Sequence, residues 1–421
     1  MSMQTKGVVL IADGMADRPV PALNGLTPLE VADSPHLDHI AASGQCGLMD
    51  PIGPGVRAGS DTSHLAILGY DPYKVYTGRG PFEALGIGLD VKGGDICFRC
   101  NFSTLEGTLR LLPDGHFDGA TLVDRRAQRI AEGTHELAQA VDGMQIEDVT
   151  CLFKESVEHR GALLLRGPDL GANVSDVDPH HEGTVPHGAQ GADPPSRKTA
   201  RVLNQFVLRA WQILKDHPVN KAREAAGKRP ANCIMPRGVG LAPHLEPFRE
   251  RYGIPGACVV ETGLIAGIGR YLAMDVPHVE GATGGADTDE LALAKMVITM
   301  LEDHDFVLCN LKAPDLSGHD ASVETKIGAV EKFDHLVGYV HEHGPADLHL
   351  AITCDHATPI TFGDHTGDPV PLAICGPALL SDRVMGYDER SVVGGALGRI
   401  RGFDVMPIMT NLMGVQEKFG A

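Results

Sequence analysis

The chain has 421 residues, of which 43% are hydrophobic and 22% are charged, an ordinary composition for a globular protein. Its formal net charge of −19 argues against binding to nucleic acid or to an anionic membrane surface, because both attract positively charged proteins. An anionic small molecule remains compatible with this charge where arginines or metal ions make its site locally positive.

The sequence also indicates where the protein works. It contains no apolar run of the roughly 18 residues that a membrane-spanning helix needs, and it passes directly into GVVLIADG without a signal-peptide pattern. We therefore expect a cytoplasmic protein. The nine cysteines are scattered and mostly lie in apolar runs. Cys97 and Cys100 form a lone CxxC without a second pair at zinc-site spacing, so we predict that both are structural.

Apolar runs of strand length alternate with amphipathic stretches, which predicts an α/β fold with a mostly parallel sheet flanked by helices. The first strand, VVLIA, ends at Asp13, and a capping box at Thr27–Glu30 predicts that a helix starts there. Another helix begins at Ser60. Later strands are predicted at FVLCNL, at LAITC before Asp355 and at VPLAIC, and later helices near residues 287–290 and along residues 327–340.

The middle of the chain differs from both ends and predicts a smaller, inserted α+β domain. From about Glu106 we expect a helical stretch and two strands, TCLFKES and GALLLRG. A loop rich in Pro, Gly and His follows, and then a helix with Leu203 and Leu214 on its apolar face. Loops of this length usually have a function or are disordered. We expect residues 1–105 and 230–421 to form one discontinuous domain and residues 106–229 the inserted domain.

Acidic and histidine side chains follow several of the predicted strands. Ligands in open α/β sheets bind outside the carboxyl ends of the strands, so these side chains are expected to converge. If the turn after FVLCNL is helical, Asp315 and His319 share one of its faces. Mixed carboxylate and imidazole ligands suit Mn, Zn, Fe or Mg ions, and this set could hold two of them. Its members are Asp13, Asp315, His319, Asp355, His356 and His365.

Ser60 has two interpretations at the start of its helix. Serine often caps helices. A serine at a helix N-terminus beside a divalent ion would instead have a lowered hydroxyl pKa and could attack phosphorus. Capping alone does not explain the accompanying ligand set, which favours the nucleophile. A nicotinamide site is disfavoured. GLIAGIGR resembles the start of a dinucleotide fingerprint, but Leu272, two residues after this segment, occupies the place of the third glycine.

Six segments in this order resemble the archaeal-type phosphoglycerate mutases, the cofactor-independent (2,3-bisphosphoglycerate-independent) class of the alkaline phosphatase superfamily. They are LIADGMAD, GSDTSHLAILGYDP, YTGRGPFEALG, KAPDLSGHD, TCDHATP and DHTGDPVP. The resemblance implies an alkaline-phosphatase-like α/β domain interrupted by a substrate-binding lid domain. It also implies that 3-phosphoglycerate and 2-phosphoglycerate are interconverted, in glycolysis and gluconeogenesis, through a phosphoserine at Ser60.

The resemblance further assigns the ligands. One metal ion would be held by Asp315, His319 and His365, and the second by Asp13, Asp355 and His356 together with Ser60. The implied ions are Mn, Mg or Co, with Zn as a further candidate. Carboxylate and phosphate groups of a small phosphorylated three-carbon acid favour arginine, with its planar fork. The candidate substrate-binding residues are His159, Arg160, Arg237 and Lys312.

Two alternatives stay open at this point. A phosphatase, a phosphodiesterase or a phosphopentomutase of the same superfamily would use the same metal ligands and the same serine, and would differ in its substrate contacts. A metal-binding protein without catalysis would use Ser60 only as a helix cap. Replacement of Ser60 by alanine separates this last alternative from an enzyme, because a binding protein would keep its metal and lose nothing else.

Overall fold

The structure is a computed structural model that describes residues 5–377, 379–418 and 420. The chain divides into two compact units. The first unit consists of Met1–Val75 and Glu246–Ala421, and the second of Tyr76–Leu245. Over the described residues, every helix is too short or too polar to cross a membrane.

Strands and α-helices alternate along much of the chain. Within the described residues the strands are β1 (Gly7–Ala12), β2 (Gln45–Asp50), β3 (Ile96–Leu111), β4 (Phe117–Asp124), β5 (Met144–Ile146), β6 (Val149–Glu155), β7 (Arg160–Arg166), β8 (Cys233–Leu241), β9 (Gly256–Val260), β10 (Phe306–Leu311), β11 (His349–Thr353), β12 (Val370–Cys375) and β13 (Gly398–Arg401). The helices are α1 (Pro28–Val31), α2 (Pro35–Ser43), α3 (Ser60–Ile67), α4 (Pro72–Val75), α5 (Gly80–Gly86), α6 (Thr134–Gln139), α7 (Pro194–Leu214), α8 (Pro218–Ala225), α9 (Phe248–Tyr252), α10 (Gly263–Tyr271), α11 (Glu290–Asp303), α12 (Ala313–His319), α13 (Val323–His343) and α14 (Val405–Leu412).

The first unit is built on a seven-stranded sheet with the order β13-β2-β12-β11-β1-β10-β9. Strands β9, β10, β1 and β11 run parallel to one another. Strand β12 is antiparallel to both of its neighbours, β11 and β2, while β13 is parallel to β2. Every residue of β1, β10 and β11 is buried, as expected for strands covered on both faces. The predicted α/β fold with a mostly parallel sheet is confirmed.

Helices α1, α3 and α11 of this unit begin where the sequence predicts. At α1, Thr27 Oγ1 accepts a hydrogen bond from the Glu30 amide at 3.1 Å, and a Glu30 carboxylate oxygen accepts one from the Thr27 amide at 2.7 Å. At α11, the Asp289 side chain accepts from two first-turn amides. Helix α13 buries Phe333, Val337 and Val340 and ends before Gly344. Both caps satisfy amides that have no partner within their helix.

The second unit has a six-stranded sheet in which β4, β3, β7, β6 and β5 follow one another and β8 also pairs with β3. All its pairings are antiparallel. Helix α7 buries Leu203, Phe206, Trp211 and other apolar side chains in the core of this unit. The strands predicted at TCLFKES and GALLLRG are β6 and β7.

Two expectations for the middle of the chain differ from the structure. The stretch after Glu106 is a hairpin of β3 and β4 rather than a helix, because Pro113-Asp114-Gly115 forms a turn between two strands. Helix α6 provides only six helical residues. The second unit also extends beyond 106–229 at both ends, because β3 starts at Ile96 and pairs with both β7 and β8.

All nine cysteines are free and buried. Burial raises the pKa of their thiols, in the case of Cys375 to about 11. Cys97 and Cys100 lie within β3 and contribute to its packing. These thiols therefore behave as small apolar side chains, in agreement with the predicted structural role of the CxxC pair.

Candidate active site

Four parallel strands of the first unit place polar side chains at one edge of the sheet. Asp13 follows β1, and Asp355 and His356 follow β11 by two and three residues. Lys312 follows β10 directly, and Glu261 follows β9. Carboxyl ends of parallel strands meet at the same edge, so the convergence that the sequence predicts is present in the structure.

Asp13, Asp355 and His356 form a group that we call the inner cluster. All three side chains are fully buried. Nε2 of His356 lies 3.5 Å from Oδ1 of Asp13 and 3.3 Å from Oδ2 of Asp355. One ligand atom from each of the three residues lies within 4.8 Å of the other two, close enough for a single ion to contact all three.

Asp315, His319 and His365 form a second group, the outer cluster. Helix α12 places Asp315 and His319 on one face, as predicted from their spacing. Oδ1 of Asp315 lies 3.5 Å from Nε2 of His319 and 3.4 Å from Nε2 of His365. His365 comes from the segment between β11 and β12, and its ring stacks on that of His356 with centroids 3.6 Å apart. The two clusters are therefore adjacent.

More residues around the outer cluster could hold a metal ion than the sequence predicts. Donor atoms of Asp315, His356 and His365 lie within 4.8 Å of one another, as do those of His319, Asp364 and His365. Among the described residues, Asp315, His319 and His365 do not form such a group together. Asp364 is held at this position by Arg57, whose Nη2 donates to its carboxylate at 2.6 Å. Sequence reasoning missed Asp364, although it directly precedes a predicted ligand.

The donor set fits divalent metal ions. Asp355 Oδ2 is buried and has no hydrogen-bond partner among the described residues. Burial raises the pKa of Asp13, and the neighbouring Asp355 carboxylate raises it further. A cation between these oxygens would relieve both the repulsion and the missing contact. Carboxylates and imidazoles are ordinary ligands of Mn, Mg, Co and Zn ions.

Burial and the nearby carboxylates shift the pKa values of His356 and Lys312 in opposite directions. Burial lowers the pKa of His356 to about 3, so its imidazole is neutral at neutral pH and one ring nitrogen keeps a lone pair for a ligand. Nζ of Lys312 lies 2.9 Å from Oδ1 of Asp13 and 2.7 Å from Oδ2 of Asp315. Burial alone would lower the pKa of Lys312, but the carboxylates outweigh burial and raise it. Lys312, a predicted substrate-binding residue, thus contacts both clusters.

Ser60 lies at the first position of α3, and the N-cap position before it is Gly59. The Ser60 hydroxyl lies 3.2 Å from Nε2 of His356, the nitrogen that faces the inner cluster. It therefore points towards the candidate metal ligands. The helix explains this direction, because its apolar positions Leu65 and Ile67 are fully buried and fix its orientation.

His64 holds the start of α3 against the sheet, a role that the sequence did not reveal. Its Nδ1 donates to the Ser60 carbonyl at 2.7 Å, which leaves Nε2 to accept from Nδ2 of Asn310 at 3.2 Å. The same Asn310 amide nitrogen also lies 3.3 Å from Oδ2 of Asp13. The nucleophile candidate is thereby connected to β10 and to the inner cluster.

Glu261 is a further buried carboxylate that sequence reasoning missed. Its Oε1 accepts from the backbone amide of Lys312 at 2.5 Å. Its Oε2 accepts from the amide of Gly284 at 3.1 Å and from the hydroxyl of Thr288. Burial raises the pKa of Glu261. The side chain fixes the backbone from which Lys312 extends.

The other three predicted substrate-binding residues, His159, Arg160 and Arg237, lie in the second unit. In the sheet, Arg160 is opposite Asn101, and Arg237 is opposite Arg99. Arg237 Nε is buried without a hydrogen-bond partner among the described residues, 3.7 Å from Asp178. Burial lowers the pKa of Arg237, and the adjacent Arg99 lowers it further.

Arg125 and His159, also in the second unit, differ in how they are paired. Arg125 donates two hydrogen bonds to Asp178, at 3.1 and 2.6 Å. His159 is buried, and its Nδ1 makes no hydrogen bond within the described part of the chain. Burial lowers the pKa of His159, and Arg160 and Arg126 lower it further. Arg125 and Asp178 were not among the residues predicted from sequence.

Comparison with known proteins identifies the family. A family profile described as 2,3-bisphosphoglycerate-independent phosphoglycerate mutase matches residues 41–220. The chain is 52% identical to 2,3-bisphosphoglycerate-independent phosphoglycerate mutase 1 of Methanothermobacter thermautotrophicus, covering 99% of this chain and 100% of the relative. It is 47% identical to the mutase of Methanopyrus kandleri, covering 100% of this chain and 99% of that one.

Two solved structures agree with this finding. The PH0037 protein of Pyrococcus horikoshii is 38% identical, with a TM-score of 0.83 over 99% of this chain and 100% of that one. The cofactor-independent phosphoglycerate mutase of Thermoplasma acidophilum is 36% identical, with a TM-score of 0.78 over 97% of this chain and 100% of that one. The chain belongs to the family of 2,3-bisphosphoglycerate-independent phosphoglycerate mutases.

Proposed function

We propose that this chain interconverts 3-phosphoglycerate and 2-phosphoglycerate through a phosphoserine at Ser60 and two divalent metal ions. The observation that carries the proposal is the Ser60 hydroxyl, which lies 3.2 Å from Nε2 of His356, a member of the buried inner cluster. The names of the full-length relatives support the overall reaction. The position of Ser60 and the two ligand clusters support the phosphoserine intermediate and the two metal ions.

The inner and outer clusters are the proposed metal positions. Asp13, Asp355 and His356 would hold one ion together with Ser60, and Asp315, His319 and His365 would hold the other. Bound Mn, Mg or Co ions would lower the pKa of the serine hydroxyl and neutralise charge on the transferring phosphoryl oxygens. The unpartnered Oδ2 of Asp355 supports this assignment.

The chain's own residues would carry the transfer in two balanced steps. In the first, the Ser60 hydroxyl loses its proton and its oxygen forms a bond to phosphorus, while the bond between phosphorus and the 3-oxygen of the substrate breaks and that oxygen takes up a proton. In the second, the 2-hydroxyl of the bound glycerate loses its proton and attacks the phosphoserine, and the bond between phosphorus and the Ser60 oxygen breaks as that oxygen takes up a proton. Lys312, which contacts Asp13 and Asp315, contributes positive charge at the reacting centre.

Specificity for a phosphorylated acid requires positive charge beyond the metal ions. We propose that His159, Arg160 and Arg237 of the second unit bind the anionic substrate, with Arg125 as a further candidate. The buried Nε of Arg237, which lacks a hydrogen-bond partner among the described residues, supports its assignment to an anion. Arginine suits this task because its fork can bind carboxylate or phosphate through two hydrogen bonds.

The test follows two products from one substrate. Metal-loaded protein is incubated with 3-phosphoglycerate, and 2-phosphoglycerate and free phosphate are measured together. We expect 2-phosphoglycerate with little free phosphate, and loss of both in Ser60→Ala. The matched control is Ser63→Ala in the same helix, where the hydroxyl donates to the Gly59 carbonyl at 2.9 Å. This control is expected to remain active.

Other results would contradict the proposal in distinct ways. Free phosphate as the main product would identify a phosphatase that uses the same site. Full activity of Ser60→Ala would exclude the phosphoserine route while leaving the mutase reaction. Absence of both products with Mn, Mg and Co would contradict the proposed reaction itself.

A further inference from the structure

A buried threonine hydroxyl connects the two clusters. Thr358 lies two residues after His356 and is fully buried. Its Oγ1 donates to Oδ1 of Asp315 at 2.8 Å and lies 3.1 Å from Nδ1 of His356. Asp315 belongs to the outer cluster and His356 to the inner cluster. One side chain therefore contacts a proposed ligand of each metal position.

The direction of these two hydrogen bonds follows from their chemistry. A threonine hydroxyl has one hydrogen to donate, and an ionised carboxylate can only accept. The hydroxyl hydrogen therefore goes to Asp315, and the Thr358 oxygen accepts from Nδ1–H of His356. This arrangement leaves the lone pair on Nε2, the nitrogen that faces Asp13, Asp355 and Ser60.

We propose that Thr358 is a positioning residue that fixes the tautomer of His356 and holds ligands of both metal positions in one arrangement. The inference rests on the proposed two-metal site. Partners that orient metal ligands typically contribute 10- to 100-fold to metal affinity. Thr358 differs from an ordinary partner of this kind because it acts on two positions at once.

The backbone of Thr358 is fixed by a buried ion pair. Its carbonyl accepts from Nζ of Lys326 at 2.7 Å, and its amide donates to the Ala16 carbonyl at 3.2 Å. Lys326 is itself fully buried and lies 2.8 Å from Oδ2 of Asp17. The same carboxylate oxygen accepts from the amide of Ile360 at 3.2 Å. The turn that carries the hydroxyl is therefore held from both sides.

The packing around the hydroxyl leaves it little freedom. Gly14 has φ near +60°, and a Cβ atom there would lie 2.5 Å from Oγ1 of Thr358 and 2.7 Å from Oδ1 of Asp315. A Cβ atom on Gly318 would lie 2.3 Å from the Thr358 carbonyl. Two glycines thus permit the close approach of the threonine to its partners.

The test compares Thr358→Val, which keeps the shape and removes the hydroxyl, with Thr358→Ser, which keeps the hydroxyl. Co²⁺ alone is titrated into each protein, and binding is followed by calorimetry and visible absorption. We expect Thr358→Val to bind both ions about 10- to 100-fold more weakly and Thr358→Ser to stay close to the wild type. Thr410→Val is the matched control, because Thr410 is buried and donates to the Met406 carbonyl.

A second measurement uses the unmodified protein without metal. Nitrogen-15 spectra of the histidine rings should show His356 protonated at Nδ1 and unprotonated at Nε2. The opposite tautomer would overturn the inference even if Thr358→Val failed to fold.

The outcomes separate this inference from the proposed function. If the wild type binds two Co²⁺ ions and Thr358→Val binds them equally well, or loses affinity at only one position, the linking role is wrong while the metal site stands. If the wild type binds no Co²⁺, the two-metal assignment fails and this inference fails with it.

Discussion

At the scale of single residues, Arg237 and Arg125 differ in how they contact Asp178. Arg125 satisfies Asp178 with two hydrogen bonds, whereas Arg237 has only a longer contact of 3.7 Å to the same carboxylate. Arg237 also lies opposite Arg99, another cation. A protein gains little stability from such an arrangement, which supports the proposal that Arg237 binds an anion.

Replacement of Arg237 by glutamine is therefore expected to weaken substrate binding without lowering stability. A lost charged hydrogen bond costs about 1.5 to 3 kcal/mol, equivalent to roughly a 10- to 100-fold rise in KM. Steady-state kinetics with 3-phosphoglycerate measures this change. The control is Arg110→Gln, an exposed arginine of the same unit that pairs with Asp118. An unchanged KM in Arg237→Gln would contradict the assignment.

Site residues that follow a strand could be predicted from the sequence, whereas site residues whose roles depend on distant partners could not. Asp13 follows β1 immediately, and Asp355 and His356 lie within three residues of β11, positions that a strand pattern reveals. Thr358 and His64 have no such signal, because their roles depend on contacts with Asp315 and Asn310, which are distant in the sequence. Such long-range contacts require the packed structure.

At the scale of elements, alternation of apolar runs identified the strands but not their direction. VPLAIC is strand β12 as predicted, yet it runs antiparallel to β11. Apolar content cannot distinguish these directions, because a buried strand is apolar on both faces in either case. The hairpin of β3 and β4 was not predicted, although Pro113-Asp114-Gly115 between the two strands is a turn signal.

Two glycines on neighbouring helices provide a matched test of element packing. A Cβ atom on Gly318 of α12 would meet the Thr358 carbonyl at 2.3 Å, whereas one on Gly328 of α13 would meet no atom within 4 Å. We expect Gly318→Ala to lower the free energy of unfolding by about 1 to 3 kcal/mol. Gly328→Ala should raise it by about 0.5 to 1 kcal/mol, because alanine favours helix.

Urea unfolding measures both variants, and Co²⁺ titration adds a second measure. Gly318→Ala should also weaken metal binding, since α12 carries Asp315 and His319. Equal stability of the two variants would mean that contact between α12 and the Thr358 turn does not constrain the site.

At the scale of the whole molecule, the net charge has the same sign as the proposed substrate. The chain carries −19, yet its proposed substrate is an anion. Under the proposed function, Lys312 and the proposed metal ions would supply the positive charge that an anionic substrate needs. Composition argues against extended anionic partners and is compatible with a small anionic substrate.

The stability of the molecule should also depend on pH through Glu389. Burial raises the pKa of this carboxyl to about 7, and Asp388 adds to the effect. The side chain accepts from the Asp17 amide and from the Thr27 hydroxyl, near the buried pair of Asp17 and Lys326. A raised pKa in the folded state means that the folded protein retains a proton that the unfolded chain loses. Stability from this group is therefore lost as pH rises from about 4.5 to 7.

Replacement of Glu389 by glutamine removes this titration. The free energy of unfolding of Glu389→Gln, relative to the wild type, should increase by about 1 to 3 kcal/mol between pH 5 and pH 8. Urea unfolding at a series of pH values measures the difference. Glu302→Gln, at an exposed position of α11, is the control for loss of one carboxylate. A constant or decreasing difference for Glu389→Gln would show that Glu389 does not carry the effect.

The proposed function requires that Ser60 carry the phosphoryl group during turnover. The most direct test mixes Mn²⁺-loaded protein with 3-phosphoglycerate, stops the reaction in acid within the first turnovers and examines the peptide containing Ser60 by mass spectrometry. We expect one phosphoryl group on Ser60, and none in the corresponding peptide of Ser60→Ala. Formation of 2-phosphoglycerate at the normal rate with the phosphoryl group on another residue, or with none on the protein, would contradict it.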